Sequence, residues 1–179
     1  MKNLIFAFTI CFTINNACFA QAKALPASEV IANAKATASK ENKKVFVIFH
    51  ASWCVWCHKM DSAMNAPGIK SFFDKNFIIT HLTVDESKDK KNLENAGANE
   101  MRTAWHGDNQ GIPYWVILDK DGRVLADSRI IDANGKPGNS VGCPAQPEEV
   151  DYFLSVLSQT STPSLHEMEL IKQRFLKNK

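Results

Sequence analysis

The sequence predicts an α/β domain, and three observations carry that prediction. Of its 179 residues 45% are hydrophobic and 22% charged, the balance of one soluble globular domain, which excludes a disordered or collagen-like chain. The run Val45-Phe46-Val47-Ile48-Phe49 is continuous, β-branched and aromatic, as a strand buried on both faces of a parallel sheet reads. Patterns then alternate in the order helix, strand, helix, strand, helix, strand, strand, helix, followed by a helical tail and with no internal repeat.

Each element has a local reason. Ser28 stands where it can cap a helix running to about Lys40, with Val30, Ile31 and Ala34 on its apolar face, and the stretch 41–44 ends it. After the strand 45–49, His50-Ala51-Ser52 leads into Trp53-Cys54-Val55-Trp56-Cys57-His58-Lys59-Met60, helical to about Met64. Pro67 breaks that helix, and Ile69 to Asp74 forms a further turn. Phe77 to Val84 is a second strand, closed by Asp85. Between Lys88 and His106 the residues Leu93, Gly97, Met101 and Trp105 recur at four-residue spacing, which predicts one helix with a narrow buried stripe.

Ile112-Pro113 follows the loop 107–111, and Tyr114 to Leu118 reads as a strand. Asp119-Lys120-Asp121-Gly122 makes a turn into a returning strand, Val124 to Ala126. The Gly-, Pro- and Asn-rich segment 132–147 is a loop, and Pro147-Glu148-Glu149 opens a helix reaching about Leu157. Past a hinge at 161–163, a last helix carries Leu165, Met168, Ile171 and Phe175 on one side, which predicts that the tail packs on its own domain.

Residues 1–20 read as a signal peptide. Lys2 supplies the positive start, Leu4 to Ile14 an apolar run, and Cys18-Phe19-Ala20 a cleavage site that would leave Gln21 first. The expected division is a leader at 1–20, a domain at 21–160 and a helical tail at 161–179, in a protein that is exported and periplasmic or secreted. That apolar run is too short to span a bilayer, and nothing later approaches ~18 consecutive apolar residues, so no permanent membrane anchor is expected. Formal charge is +2, from 21 Lys and Arg against 19 Asp and Glu. Such a balance advertises neither nucleic acid nor an acidic membrane as partner.

Of the five cysteines, Cys11 and Cys18 fall in the leader, which leaves Cys54, Cys57 and Cys143. Three is a poor number for a disulfide framework, even where export permits disulfides. Cys54 and Cys57 follow a buried strand and open a helix, where unpaired N–H groups and the positive dipole end stabilise a thiolate. Cys57, one turn deeper, is placed to attack a mixed disulfide formed at Cys54. Two other readings compete. Cys54-Val55-Trp56-Cys57-His58 is also the attachment pattern of a c-type haem, with His58 as axial ligand and Met60, Met64 or Met101 opposite. A binding module with little turnover is the other. A structural zinc site lacks a second cysteine pair, so no metal is expected.

The strand 45–49, Trp53-Cys54-Val55-Trp56-Cys57, Val84-Asp85, Gly111-Ile112-Pro113 and the hairpin at Asp121-Gly122 together resemble the thioredoxin-like proteins. The resemblance covers roughly residues 28–158, and is greatest to exported thioredoxin-like domains and the C-terminal domain of transmembrane disulfide interchange reductases. It implies a thioredoxin-like fold, a central mixed β-sheet flanked by helices, here with an extra C-terminal helix. Cys54 would attack and Cys57 resolve, with Pro113 cis beside them, Ile112 offering a backbone edge to substrate, and Trp53 and Trp56 shaping the docking surface. Partners would be protein dithiols and disulfides, with a membrane interchange protein as electron source. No dissociable cofactor is implied, and Trp-Cys-Val-x-Cys favours the reducing direction.

The sequence departs from the family at one position. Many thioredoxins carry a buried Asp six residues before the first cysteine, and here Ile48 stands there. Asp61, four residues after Cys57, either approaches that sulfur or lies exposed beside Lys59. His58 either stabilises the Cys54 thiolate or is solvated. Cys143 is an inert, partly buried thiol, a third redox thiol, or part of a substrate-facing loop that begins on the active side.

Overall fold

The computed structural model describes residues 24–178. The signal-peptide reading, with Cys11 and Cys18, lies outside the described residues. Strand β1 (Lys44–His50) occupies the middle of a four-stranded sheet. It pairs in parallel with β2 (Phe77–Thr83) and antiparallel with β3 (Tyr114–Leu118), and β3 pairs antiparallel with β4 (Val124–Asp127), giving the order β2-β1-β3-β4. The sheet is therefore mixed, and the fold is thioredoxin-like, with helices on both faces.

The run Val45 to Phe49 is buried on both sides because its alternate residues feed two different clusters. Phe46 and Ile48 face α2 (Val55–Met64), α3 (Lys70–Asn76), α5 (Pro147–Thr160) and α6 (Leu165–Phe175). Val45, Val47 and Phe49 face α1 (Ala27–Glu41) and α4 (Ala98–Ala104). The first cluster is strongly aromatic. The Phe46 ring meets Phe77 edge-on at 5.7 Å and Trp115 at 5.4 Å, and Phe153 meets Phe175 of α6 at 4.8 Å. Each large side chain so buried contributes about 1.5–3 kcal/mol.

Several local expectations change. Helix α1 starts at Ala27 behind Pro26 with no side-chain cap, so Ser28 lies inside the first turn and does not cap it. The buried face is Ala27, Ile31, Ala34 and Ala38, with Val30 partly covered. The turn expected at 69–74 is the helix α3.

The single helix expected over 88–106 is two pieces, a 3₁₀ segment Lys88–Leu93 and the helix α4. Gly97 between them takes φ 83°, a left-handed conformation that ends helical continuity at small cost only for glycine. Asn95 explains the interruption. Its backbone N–H donates to the Thr83 carbonyl (3.1 Å), its side-chain oxygen accepts from Thr83 N–H (2.7 Å), and its side-chain amide donates to the Leu25 carbonyl (2.8 Å). These bonds satisfy the end of β2, which a continuous helix would leave unpaired.

The loop expected at 132–147 contains part of a second sheet. Strands β5 (Arg129–Ile131) and β6 (Pro137–Ser140) pair antiparallel around a turn in which Asp132 accepts from the N–H groups of Asn134 and Lys136, each at 2.8 Å. In the tail, Ile171 and Phe175 are fully buried in the aromatic cluster and Met168 packs against it, but Leu165 at the first turn is 91% exposed. Ser164 and Glu167 cap that helix reciprocally.

Because Phe175 closes the core, Phe175→Ala is expected to lower unfolding free energy by about 3–5 kcal/mol. Urea denaturation followed by tryptophan fluorescence checks this, and a loss near zero would mean that α6 is dispensable to the domain.

Candidate active site

Strand β1 delivers the chain through Ala51, Ser52 and Trp53 to Cys54, which is the residue preceding helix α2 and its N-cap. Its sulfur accepts the Cys57 N–H at 3.1 Å, one of the donors a helix start leaves unpaired. Cys54 and Cys57 are joined by a disulfide, with Cα atoms 5.3 Å apart. Both are withdrawn from water, at 3% and 1% exposure. The Cys54 sulfur lies 3.6 Å from the Ile112 carbonyl oxygen, and the Ile112-Pro113 peptide is cis, as the resemblance implied.

Around this covered disulfide the surface is apolar. Trp53 is 56% exposed, Val55 64% and Trp56 45%, a cluster that water disfavours and a docking partner would cover. On one side a groove runs past Trp56, Ile112, Pro113, Val141 and Cys143. Its far wall is held by Trp115, whose indole N–H donates to the Gly142 carbonyl at 2.9 Å. The end of the 131–146 segment thus lies beside the site.

The approach to Cys54 is fixed by Glu86 and Arg102, which sequence reasoning did not single out, together with His58, Trp53 and Asp85, which it did. Glu86, only 4% exposed, accepts from the Ser52 N–H at 2.5 Å and the Ser52 hydroxyl at 2.8 Å. The His58 ring donates from Nε2 to the Ser52 carbonyl at 3.0 Å. Trp53 donates its indole N–H to the Asp85 carbonyl at 2.8 Å, and Arg102 pairs with the Asp85 carboxylate at 2.6 Å. The sequence signal was weak, since Glu86 sits in an Asp-Glu-Ser-Lys-Asp-Lys-Lys stretch that reads as solvated.

His58 and Asp61 have specific partners. His58 is exposed and at the same time bonded to the Ser52 carbonyl. Asp61 bonds His81 of β2 at 2.8 Å. The His81 ring lies tilted against His50, centroids 4.8 Å apart, and burial together with the neighbouring His81 lowers the His50 pKa below its ordinary value. Lys59 donates to the Asn178 carbonyl at 2.9 Å and lies 4.2 Å from the centre of the Trp56 ring. Ile48, 1% exposed, faces α2 as a hydrocarbon.

Cys143 is a free thiol, 6% exposed, accepting from the Asn178 side-chain amide at 3.3 Å. Burial pushes its pKa up to about 12. The haem reading does not fit these residues. The two sulfurs that would carry the macrocycle are bonded to each other, His58 is engaged by Ser52, and Met60 and Met64 are buried in the core. Met101 belongs to the cluster on the other face of the sheet. Among the described residues, no group of three or more His, Cys, Asp and Glu side chains is arranged to hold a metal ion.

A family model described as thioredoxin-like matches residues 27–120, just over half of the chain. The chain belongs to the thioredoxin-like family. Within that family fold it carries a Cys54–Cys57 disulfide at the start of α2. Solved structures similar to this thioredoxin-like protein include a disulphide isomerase from Xylella fastidiosa Temecula1, 24% identical over 56% of this chain and 72% of that one, with a TM-score of 0.46. Another is a DsbH oxidoreductase, 20% identical over 88% and 96%, TM-score 0.46. A third is the Neisseria meningitidis DsbD C-terminal domain in its oxidised form, 15% identical over 78% and 100%, TM-score 0.45. Comparison with curated proteins gives no match. Among the described residues of this thioredoxin-like protein, no helix is long and apolar enough to cross a membrane.

The thiolate is the nucleophile, so a thiol held near 12 reacts slowly at ordinary pH. In a Cys54→Ser/Cys57→Ser variant, alkylation of Cys143 at pH 8.5 is expected to be roughly a hundredfold or more slower in the native protein than in denaturant. Peptide mapping by mass spectrometry reads this, and equal rates would show that Cys143 is open to reagent.

Proposed function

We propose that this chain is an exported reductase of protein disulfides, with Cys54 as attacking and Cys57 as resolving sulfur. The observation that carries the reading is the position of Cys54, capping α2, accepting the Cys57 N–H and facing the Ile112 carbonyl under an exposed apolar rim. In the reduced protein the same N–H and the helix dipole stabilise a Cys54 thiolate. That thiolate attacks one sulfur of the substrate disulfide, forms a mixed disulfide, and releases the other sulfur as the substrate's first thiol. Cys57 then attacks Cys54, releases the second substrate thiol and restores the Cys54–Cys57 disulfide, so two electrons have passed to the substrate.

Ile112 and Pro113 present a backbone edge along which an extended substrate segment lies, and Trp53 and Trp56 flank it. The pair is returned to the dithiol by another dithiol protein, a membrane interchange protein being the partner the sequence favours. The small formal charge gives no reason to invoke nucleic acid. Export rests on the charged, apolar and small-residue order of residues 1–20.

Cys57→Ser is expected to accumulate a mixed disulfide with substrate and to lose turnover by at least about a hundredfold, because the resolving attack is gone. Non-reducing gels and steady-state reduction of a protein disulfide read both effects, and undiminished turnover would remove Cys57 from the reaction. The equilibrium of the couple against glutathione decides direction. A potential near about −270 mV is expected for a reductant, and one near about −120 mV would make the protein an oxidant. Sequencing of the protein recovered from the exporting cell is expected to begin at Gln21, and an N-terminus still carrying residues 1–20 would overturn the leader reading.

A further inference from the structure

The chain on either side of the Ile112-Pro113 edge is tied to one short segment at the end of the β5–β6 hairpin. Loop 107–111, which leads into that edge, belongs to no helix or strand, so no regular ladder sets its height beside Cys54. Gln110, two residues before Ile112, supplies one tie, because its side-chain oxygen accepts the Ser140 N–H at 2.8 Å. Trp115, two residues after Pro113, supplies the other. Its indole N–H donates to the Gly142 carbonyl at 2.9 Å, its backbone N–H donates to the Ser128 hydroxyl oxygen at 3.3 Å, and its carbonyl accepts the Ser128 N–H at 3.0 Å.

Two hydroxyls join these ties. Ser128, fully buried, and Ser140 are bonded through their Oγ atoms at 2.8 Å. Ser140 Oγ also accepts the Gly142 N–H at 3.1 Å, and the Ser128 carbonyl accepts the Val141 N–H at 2.8 Å. Gly142 takes φ 53°, and a side-chain carbon added to it would stand 3.5 Å from the Pro113 carbonyl oxygen, so its backbone lies directly against the proline. Ser140, Val141 and Gly142 also line the groove that runs past Trp56, Ile112 and Pro113. This segment follows residue 120, where the match to the family ends.

We propose that Ser140 and Gln110 are positioning residues for the substrate, bracing the Ile112-Pro113 edge on which an extended segment is laid beside Cys54. The inference rests on the thiol-disulfide exchange reading above. The Ile112 carbonyl oxygen is 3.6 Å from the Cys54 sulfur, so the edge and the reacting atom are neighbours. An edge held in place before binding has no ordering cost to meet when the segment arrives, whereas a loosened one must be ordered by the substrate and binds it more weakly. A small disulfide has no chain to lay along the edge and depends on the brace far less.

Stopped-flow single turnovers of the reduced protein, read by tryptophan emission, compare a short extended peptide disulfide with hydroxyethyl disulfide. Ser140→Ala removes the hydroxyl that joins the ties, and Gln110→Ala removes the strut from the partly exposed side, so the second variant serves if the first fails to fold. Each is expected to raise the half-saturating peptide concentration about tenfold while the limiting rate changes by less than about twofold. The preference for peptide over small disulfide is expected to fall about tenfold with it, and Ser140→Thr, which keeps the hydroxyl, to recover most of it. Equal losses on both substrates would show support of the fold at large and overturn the proposal, as would a half-saturating concentration unchanged in both alanine variants.

Binding separates the brace from the chemistry. A peptide with Ser in place of Cys cannot exchange, and its affinity, read by the same emission, is expected to weaken about tenfold in either alanine variant. Weakened binding in the variants, with no disulfide reduced even by the wild type, would leave the brace standing and remove the reductase reading. Exchange by the wild type, with peptide affinity identical in all three proteins, would do the reverse.

Discussion

Five successive side chains of β1, Val45 to Phe49, are withdrawn from water on both faces of the sheet. A strand with no wet face cannot be finished by a hairpin alone; it needs helices above and below and a strand on each edge. The rest of the chain answers that demand. Helix α1 precedes β1 and covers the face of Val45, Val47 and Phe49, whereas α2 follows it immediately and covers Phe46 and Ile48. The turn from β1 into α2 is forced to lie at the end of the sheet, and Cys54 occupies it. Cys54 therefore stands directly at the end of the fully buried central strand and at a helix start.

Polar contacts hold the turn between β1 and α2 from outside. Glu86 grips both donors of Ser52, His58 holds the Ser52 carbonyl, and Asp85 anchors Trp53. Both backbone groups of Ser52 are thus satisfied by side chains, Glu86 of the neighbouring loop and His58 of α2. The same neighbourhood carries the ionisable pair of Asp61 and His81 with His50 beside it. These groups share a sheet face with Ile48, so polarity beneath α2 is displaced to β2 and the end of β1, not lost.

Features set by local chemistry were legible in the sequence. The strand 45–49 announces itself by unbroken β-branched and aromatic residues and the cysteine pair by spacing, whereas the cis Pro113 came from the family resemblance. What escaped notice depends on contacts distant along the chain. Leu93, Gly97, Met101 and Trp105 mimic a helical period, yet the bonds of Asn95 to Thr83 break the helix, and no periodicity encodes them. Strand β6, Pro-Gly-Asn-Ser, is poor in strand-forming residues, and it pairs with the short β5 through a turn built on Asp132. Glu86 is hidden in a charged run, and its burial follows only from Ser52 lying above it. Asp61 and His81 are 20 residues apart, and only the parallel register of β1 and β2 brings β2 under α2.

Lys59 and Asn178 meet across 119 residues of sequence, a separation that matters for a chain assembled from its N-terminus. Strands β1 and β2 and helix α2 are synthesised well before α6, so for a time the aromatic cluster lacks Phe175 and the cysteine helix lacks its neighbour. Arrival of α6 closes the core over the aromatic cluster and sets Arg174 beside α2, so packing against the outer side of the cysteine helix depends on a segment far along the chain from the redox turn itself.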